Sequence, residues 1–267
     1  MDYFERKHQE DLQRLRGFRL LDDDFMTKVF EDKGCAELLL RIILERNDLK
    51  VLSVHTQREI KNLQGHSVRL DVHAEDEKGC LYDVEIQRSD KGAVAERARY
   101  NSALIDANAL KAGKDYKSLA ETYVIFITEN DVMKRGLPMY HIDRVVAETG
   151  ELFGDKAHII YVNSEITDET SLGRLMHDFR CVNAEDMHYS NLSKRVDYFK
   201  NSEEGVQIMC REMEQMREEA RKEGQEEGEN RFAKLVRLLM DAKDYETLQL
   251  VTADSKLRGE YYERYGI

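Results

Sequence analysis

The chain has 267 residues, of which 41% are hydrophobic, so it is long enough to bury one sizeable core and to carry an appendage. Its formal net charge of −12 at pH 7 argues against a protein that binds nucleic acid strongly and constitutively through a basic surface. No run approaches the roughly 18 apolar residues of a membrane span, and the N-terminus lacks an apolar signal core. We therefore expect a soluble, cytoplasmic protein without a membrane partner.

The N-terminal part of the chain is predicted to be helical. Residues 1–17 are highly charged and predict a frayed helix. Residues 22–47 predict a second helix with a break at Gly34, because their apolar residues recur at helical spacing. The three aspartates at 22–24 suit the positive end of a helix dipole, and we interpret them as a helix start rather than as a ligand cluster. Glu37 lies in the second half of this helix.

A strand and a hairpin are predicted next. Residues 50–61 are rich in β-branched side chains and predict a strand. In the segments 68–74 and 82–87, apolar residues alternate with polar ones, and Asp-Glu-Lys-Gly at 76–79 supplies a turn between them. The apolar residues of the first segment, which are Val68, Leu70, Val72 and Ala74, are therefore expected to share one face.

The parity of this hairpin places acidic residues opposite each other. If the apolar faces are buried together, Asp71 pairs with Glu85 and His73 pairs with Asp83. The Cβ atoms of Asp71 and Glu85 then lie about 5 Å apart. Two carboxylates at that distance repel each other unless a proton, a cationic side chain or a divalent cation joins them. On alternation alone, a solvated polar face is the more common arrangement.

Further elements follow the hairpin. Residues 93–112 predict an alanine-rich helix with Arg97, Arg99 and Tyr100 near its start. Residues 122–128 and 159–162 predict buried strands, and residues 168–200 are predicted to be helical. The four cysteines lack a Cys-x-x-Cys pair and the histidines lack the spacing of zinc ligands, which disfavours a zinc site and suits reduced cytoplasmic thiols.

The C-terminal part predicts charged helices. Residues 203 to about 240 form one long helix in which Met209, Met213 and Met216 make a narrow apolar seam, and residues 231–267 add a helical hairpin. Residues 201–230 hold ten Glu against four Lys or Arg, about half of the excess negative charge. We predict one domain over residues 1–200 and a second region over 201–267, which is either a dimerisation or partner-binding region or a solvated spacer.

The hairpin also carries a resemblance to a known family. Arg-Leu-Asp71-Val-His-Ala-Glu-Asp, followed by Tyr-Asp-Val-Glu85-Ile-Gln87, resembles the core of the PD-(D/E)XK nuclease-family transposases, which are relatives of the recombination-promoting nucleases. The resemblance covers roughly residues 18–220. Further matching segments lie at 21–30, 36–40, 96–100, 123–128, 136–144, 158–163 and 175–179.

This resemblance implies an α/β fold with a restriction-endonuclease-like core of helix, three-stranded meander, helix and strand, followed by a helical C-terminal extension. It also implies a DNA substrate and a divalent metal, Mg²⁺ or Mn²⁺, at Asp71 and Glu85. The third signature position, usually Lys, is Gln87 here. A neutral amide can orient a water or phosphate by hydrogen bonding but supplies no charge, so the site depends more on its metal.

Other residues take roles from the same resemblance. Glu37 is a candidate to complete the metal site, although an exposed Glu on an amphipathic helix is commonly a solubilising residue. Arg97 or Arg99 would contact phosphate, and Tyr100 would pack at the site or stack on a base. Pairing of both arginines with neighbouring acids is the alternative.

Three hypotheses of function remain open from the sequence. The first is a Mg²⁺-dependent DNA endonuclease that breaks strands in a transposase-like or recombination-promoting role. The second is a nuclease-derived DNA-binding or regulatory protein with weak or lost catalysis, as the neutral Gln87 and the acidic composition allow. The third is an interaction protein that forms a homodimer or binds a partner through its C-terminal helices.

Overall fold

A mixed six-stranded β-sheet organises the N-terminal part of the chain. The computed structural model describes residues 3–62, 65–89 and 92–267. Strands β1, β2 and β3 form an antiparallel meander, β4 and β6 run parallel to β3, and β5 pairs antiparallel with β6, in the spatial order β1-β2-β3-β4-β6-β5. The strands are β1 (Val51–Ile60), β2 (Val68–Asp76), β3 (Leu81–Gln87), β4 (Thr122–Thr128), β5 (Met139–Ile142) and β6 (Ala157–Asn163).

Helices flank the sheet and make up the C-terminal part. Helices α2 and α3 contact β1, and α4 lies against β4. The helices are α1 (Tyr3–Gly17), α2 (Asp23–Phe30), α3 (Lys33–Ile43), α4 (Ala95–Ala109), α5 (Ser171–Arg180), α6 (Ser190–Asn201), α7 (Glu203–Asp241), α8 (Tyr245–Ala253) and α9 (Ser255–Tyr265). This order confirms the predicted α/β class and the restriction-endonuclease-like core of helix, meander, helix and strand.

Two predicted helices are each divided in the structure. The segment 22–47 forms α2 and α3, and the side chain of Asp32 accepts a hydrogen bond from the backbone N–H of Cys35 at 3.0 Å. This N-cap starts α3 before Gly34, where the break was predicted. The segment 168–200 forms α5 and α6, because the buried Asp178 accepts hydrogen bonds from the backbone N–H groups of His188 and Tyr189 and folds the intervening turn.

The turn between β2 and β3 is held by a buried carboxylate. Asp76 is 1% exposed and accepts hydrogen bonds from the backbone N–H groups of Lys78 and Cys80, both at 2.9 Å. The hydroxyl of Tyr82 donates to it at 2.8 Å, and the guanidinium of Arg46 lies 3.5 Å away. These contacts satisfy the buried charge and fix where the two strands start to pair.

The register of the hairpin follows from this turn. Gly79 adopts a φ of 78°, which a residue without a Cβ atom tolerates. From there, Val72 pairs with Val84 and His73 pairs with Asp83, so the register confirms the predicted pairing of His73 with Asp83.

Both faces of β3 are covered, in contrast to the solvated polar face that is common in antiparallel sheets. All residues of β3 from Tyr82 to Ile86 are buried. Ala98, Leu104 and Ile105 of α4 pack in one cluster with side chains of β4, including Val124 and Phe126. The acidic side chains of β3, Asp83 and Glu85, therefore lie in the interior of the protein.

The chain divides into two compact units, Met1–Met209 and Cys210–Ile267. In the second unit, Leu235, Leu239 and Val251 form a buried cluster, and Asp244 caps α8 by accepting from a backbone N–H. Met209 and Met213, predicted to line a seam for a partner helix, are only 0% and 3% exposed within the single chain.

We predict that Asp76→Ala lowers the free energy of unfolding by about 3 kcal/mol, because it leaves two backbone N–H groups, the Tyr82 hydroxyl and the Arg46 charge without their acceptor. Urea unfolding monitored by circular dichroism measures the change. The control is Asp48→Ala, which removes an exposed carboxylate paired with Lys78 at the surface. Equal stability of the two variants would contradict the role of Asp76.

Candidate active site

Three acidic side chains of β2 and β3 lie next to each other inside the protein. Asp71 is 7% exposed, and Asp83 and Glu85 are both 0% exposed. The backbone N–H of Ile86 donates to Oδ2 of Asp71 at 3.1 Å, and the backbone N–H of Asp71 donates to Oε1 of Glu85 at 3.4 Å. These cross-strand bonds hold Asp71 beside Glu85.

Strand β2 changes the face to which its side chains point close to Asp71. Leu70 packs in the cluster with α4, whereas Val72 pairs with Val84 on the opposite face of the sheet. The alternation predicted that the four apolar residues of β2 share one face, and this prediction is wrong. On the neighbouring strand β1, Gln57 adopts a left-handed φ of 51°. It lies between Thr56, which pairs with Val72, and Arg58, which pairs with Leu70. This local irregularity lets both Leu70 and the Asp71 carboxylate be buried.

The buried carboxylates hold protons more tightly than exposed ones do. Burial, and then the negative charges of Glu85 and Asp23, raise the pKa of Asp71 well above its ordinary value. Burial and the charge of Asp71 raise the pKa of Asp83 to about 8, and burial and the charge of Asp83 raise the pKa of Glu85. The cluster therefore favours any cation that can approach it.

Arg97, in the first turn of α4, brings one such charge to the cluster. Its Nη2 atom lies 2.5 Å from Oε2 of Glu85, and its Nη1 atom donates to the carbonyl of Gly92 at 3.3 Å. The sequence left open whether Arg97 pairs with an acid or contacts phosphate, and the structure pairs it with Glu85. Because 38% of its side chain is exposed, Arg97 also reaches the surface beside the site.

Gln87, the residue in place of the signature lysine, lies at the end of β3. It is half-buried, and it is in register with Thr128 of β4. A Cβ atom added at Gly92 would lie 1.7 Å from Oε1 of Gln87. The space next to Gly92 is therefore where the amide of Gln87 lies, and sequence reasoning did not single out this glycine.

The structure does not bring Glu37 to the site. Its Oε2 atom accepts from the backbone N–H of Val51 at 3.0 Å, and its Oε1 atom lies 2.7 Å from Nη2 of Arg41. Val51 pairs with Asp76 at the turn end of β2, roughly 16 Å along the strand from Asp71. Glu37 instead joins α3 to the start of β1.

Asp23 is the helix-borne acid that acts on the cluster. Asp22 is the N-cap of α2 and Asp23 its first residue, so the aspartates do start a helix as predicted. However, the charge of Asp23 also raises the pKa of both Asp71 and Glu85. The sequence signal for this role was the run of acids itself, which we interpreted as a helix start alone.

A groove of about 720 Å³ lies next to the acidic cluster, between the first turns of α4 and the start of β2. Arg69, Arg97 and Arg99 line it, and Arg69 and Arg99 are exposed. Tyr100 also lines it, but its hydroxyl donates to the carbonyl of His66 at 2.5 Å and its ring packs partly into the core. Tyr100 thus anchors the wall of a basic groove.

The residues of the cluster fit a divalent cation. Carboxylate oxygens suit hard ions such as Mg²⁺ and Mn²⁺. Oδ1 of Asp83 and Nδ1 of His73 are buried and have no hydrogen-bond partner among the described residues. Burial, then Arg58 and His55, lower the pKa of His73 to about 4, so its imidazole is neutral at pH 7. The cluster thus has acceptor atoms that its neighbours leave without a partner.

A family model described as PD-(D/E)XK nuclease family transposase matches residues 36–231. The matched range includes the hairpin and α4. No curated protein and no solved structure matches the chain. Within the part of the chain that the structure describes, no helix has the length and apolar character needed to cross a membrane. The family match supports a nuclease or transposase-like function.

We predict that the metal-free protein becomes less stable as the pH rises from about 4 to about 8. The raised pKa values mean that the folded state binds more protons than the unfolded state in this range, so the free energy of unfolding falls, by at most about 1.4 kcal/mol per pH unit for each group. Asp83→Asn removes one of these groups and should flatten the dependence.

Urea unfolding at several pH values in the presence of a chelator measures this effect. The matched control is Asp48→Asn, because the hydrogen bond with Lys78 lowers the pKa of the exposed Asp48 instead of raising it. A pH dependence that Asp83→Asn leaves unchanged would show that Asp83 is not protonated in the folded state.

Proposed function

The chain belongs to the PD-(D/E)XK nuclease family transposases, and we propose that it is a divalent-metal-dependent DNA endonuclease that hydrolyses phosphodiester bonds. The observation that carries this proposal is the buried cluster of Asp71, Asp83 and Glu85, three carboxyl groups with only the guanidinium of Arg97 paired to Glu85 beside them. Burying such a cluster is unfavourable for folding, and a bound cation would offset this cost.

In this proposal Asp71 and Glu85 hold Mg²⁺ or Mn²⁺. When bound, the metal would acidify a water molecule and stabilise negative charge on the phosphate. The backbone N–H of Ile86 and the side chain of Arg97 fix the orientations of the two carboxylates. Gln87 positions the water or the phosphate through its amide, which has room because residue 92 is glycine.

DNA is proposed to bind along the basic groove. Arg99 and Arg69 are exposed there, and Arg97 links the groove to Glu85. Arginines contact phosphates without regard to sequence, so this surface would position the backbone of the DNA rather than select its bases. Tyr100 supports the groove instead of stacking on a base.

The location and the C-terminal region complete the proposal. The four cysteines are free thiols, which suits a reducing compartment such as the cytoplasm.

For residues 201–267 we propose an oligomerisation or partner-binding role, including a homodimer. Exposed apolar side chains in the second unit support this role, since such patches commonly mark contact surfaces; they are Leu238, Met240, Tyr245, Leu250 and Tyr265.

The test of the proposed activity is nicking of supercoiled plasmid by the full chain with Mg²⁺ or Mn²⁺. We expect Asp71→Ala and Glu85→Ala to reduce nicking by about 100-fold or more, because each removes a ligand and a charge that the reaction needs. Glu75→Ala is the matched control, since Glu75 lies on the same strand as Asp71 but is exposed. It should nick like the unmodified protein.

Other outcomes decide between the hypotheses. Nicking that persists in both Asp71→Ala and Glu85→Ala would show that the site assignment is wrong. A gel shift of DNA without nicking would favour a nuclease-derived DNA-binding protein. If the protein neither nicks nor shifts DNA, and truncation after residue 200 abolishes its self-association, the results favour an interaction protein.

A second prediction tests the position of Gln87. Gly92→Ala forces the Gln87 amide to move, since the new Cβ would lie 1.7 Å from its Oε1 atom but 3.6 Å from the Arg97 guanidinium. We expect nicking to fall by about 10- to 100-fold, as displaced catalytic groups do, while thermal stability changes little. Gly224→Ala, which meets no atom within 4 Å, is the control. Unchanged nicking in Gly92→Ala would exclude a role for the amide.

A further inference from the structure

A group of metal-binding side chains lies away from the hairpin, where α5 ends and the chain turns towards α6. His177 and Asp178 lie in the last turn of α5, and Cys181 is its C-cap. The ligand atoms of these three residues all lie within 4.8 Å of one another. His188, on the other side of the turn, places Nδ1 3.1 Å from Oδ1 of Asp178.

Two of the separations between these atoms match those of ligands on one small cation. Nδ1 of His177 lies 3.4 Å from Sγ of Cys181 and 3.5 Å from Oδ1 of Asp178. Metal–ligand distances of zinc imply edges of about 3.3–3.6 Å between its tetrahedral ligands. The hydrogen bonds of Asp178 to the backbone of the turn account for the position of this carboxylate. They do not account for the thiol of Cys181 and the imidazole of His177 lying next to it.

The surroundings hold the group in place. Asp178 is 0% exposed, and its two oxygens accept from the backbone N–H groups of His188 and Tyr189 at 2.7 and 2.8 Å. The rings of His177 and His188 meet edge to face with their centroids 4.6 Å apart. A ligand carboxylate that is itself hydrogen-bonded is the usual arrangement around bound metals, because it fixes the direction of the ligand.

We propose that His177, Asp178 and Cys181 bind Zn²⁺, with His188 as the neighbouring donor, and that the ion fastens the turn between α5 and α6. On binding, the thiol of Cys181 releases its proton to solvent and its sulfur becomes a thiolate ligand. The combination of sulfur and nitrogen ligands separates this site from the all-carboxylate cluster of the hairpin, which suits Mg²⁺ or Mn²⁺. The sequence prediction disfavoured zinc because no Cys-x-x-Cys pair is present.

Co²⁺ is the probe for this site. Tetrahedral Co²⁺ with a thiolate ligand has an absorption spectrum that can be measured, whereas bound Zn²⁺ has none in the same range. The full chain is stripped with a chelator, desalted and titrated with Co²⁺. We expect one equivalent to produce the thiolate-to-metal absorption, and one equivalent of Zn²⁺ to abolish it. Free Zn²⁺ at about a hundred times its Kd should also raise the Tm by about 5–10 °C.

Variants assign the absorption to these residues. Cys181→Ser should lose it and His177→Ala should lose or weaken it, whereas the thiol control Cys210→Ser should keep it. Asp71→Ala should also keep it, which separates this site from the proposed nuclease centre. The absence of the absorption in the unmodified chain, or its survival in Cys181→Ser, would overturn the proposal. The titration of the unmodified chain needs no variant. It therefore decides the test even if Cys181→Ser does not fold.

Discussion

The burial of three neighbouring carboxylates is the constraint on which the rest of the structure depends. Burial and the neighbouring acids raise the pKa values of Asp71, Asp83 and Glu85, because the interior stabilises their charged forms less well than water does. The fold holds them together through the register of β2 and β3, which the Asp76 turn fixes at the far end of the hairpin. The contacts of the Asp76 turn therefore stabilise the hairpin, whereas the burial of the three carboxyl groups is unfavourable for folding.

The hairpin could be predicted from the sequence because its determinants are local. Strand parity and a turn containing Gly79 predict the pairing of His73 with Asp83 that the register shows, and no knowledge of the surrounding helices is needed. The order of the core elements also followed from periodicity and from the resemblance. What parity could not reveal is the burial of both faces, because that depends on the helices that cover them.

Residues on helices were harder to assign for the same reason. Glu37 and Asp23 are both acids on helices before the hairpin, and their local patterns do not show which of them faces β2. Packing directs Glu37 to Val51 at the turn end of the sheet and brings the charge of Asp23 to Asp71. The edge strand β5 escaped prediction because its four residues, half of them exposed, lack a clear alternation.

Arg97 supplies a positive charge near Gln87, the residue that replaces the signature lysine. Gln87 has no charge, but Arg97 supplies a guanidinium from α4 to Glu85, two residues earlier on the same strand. A cation held by Glu85 would share this carboxylate with Arg97, so that two positive charges would act on one acidic group. In this arrangement the positive charge that the signature strand lacks comes from a neighbouring helix.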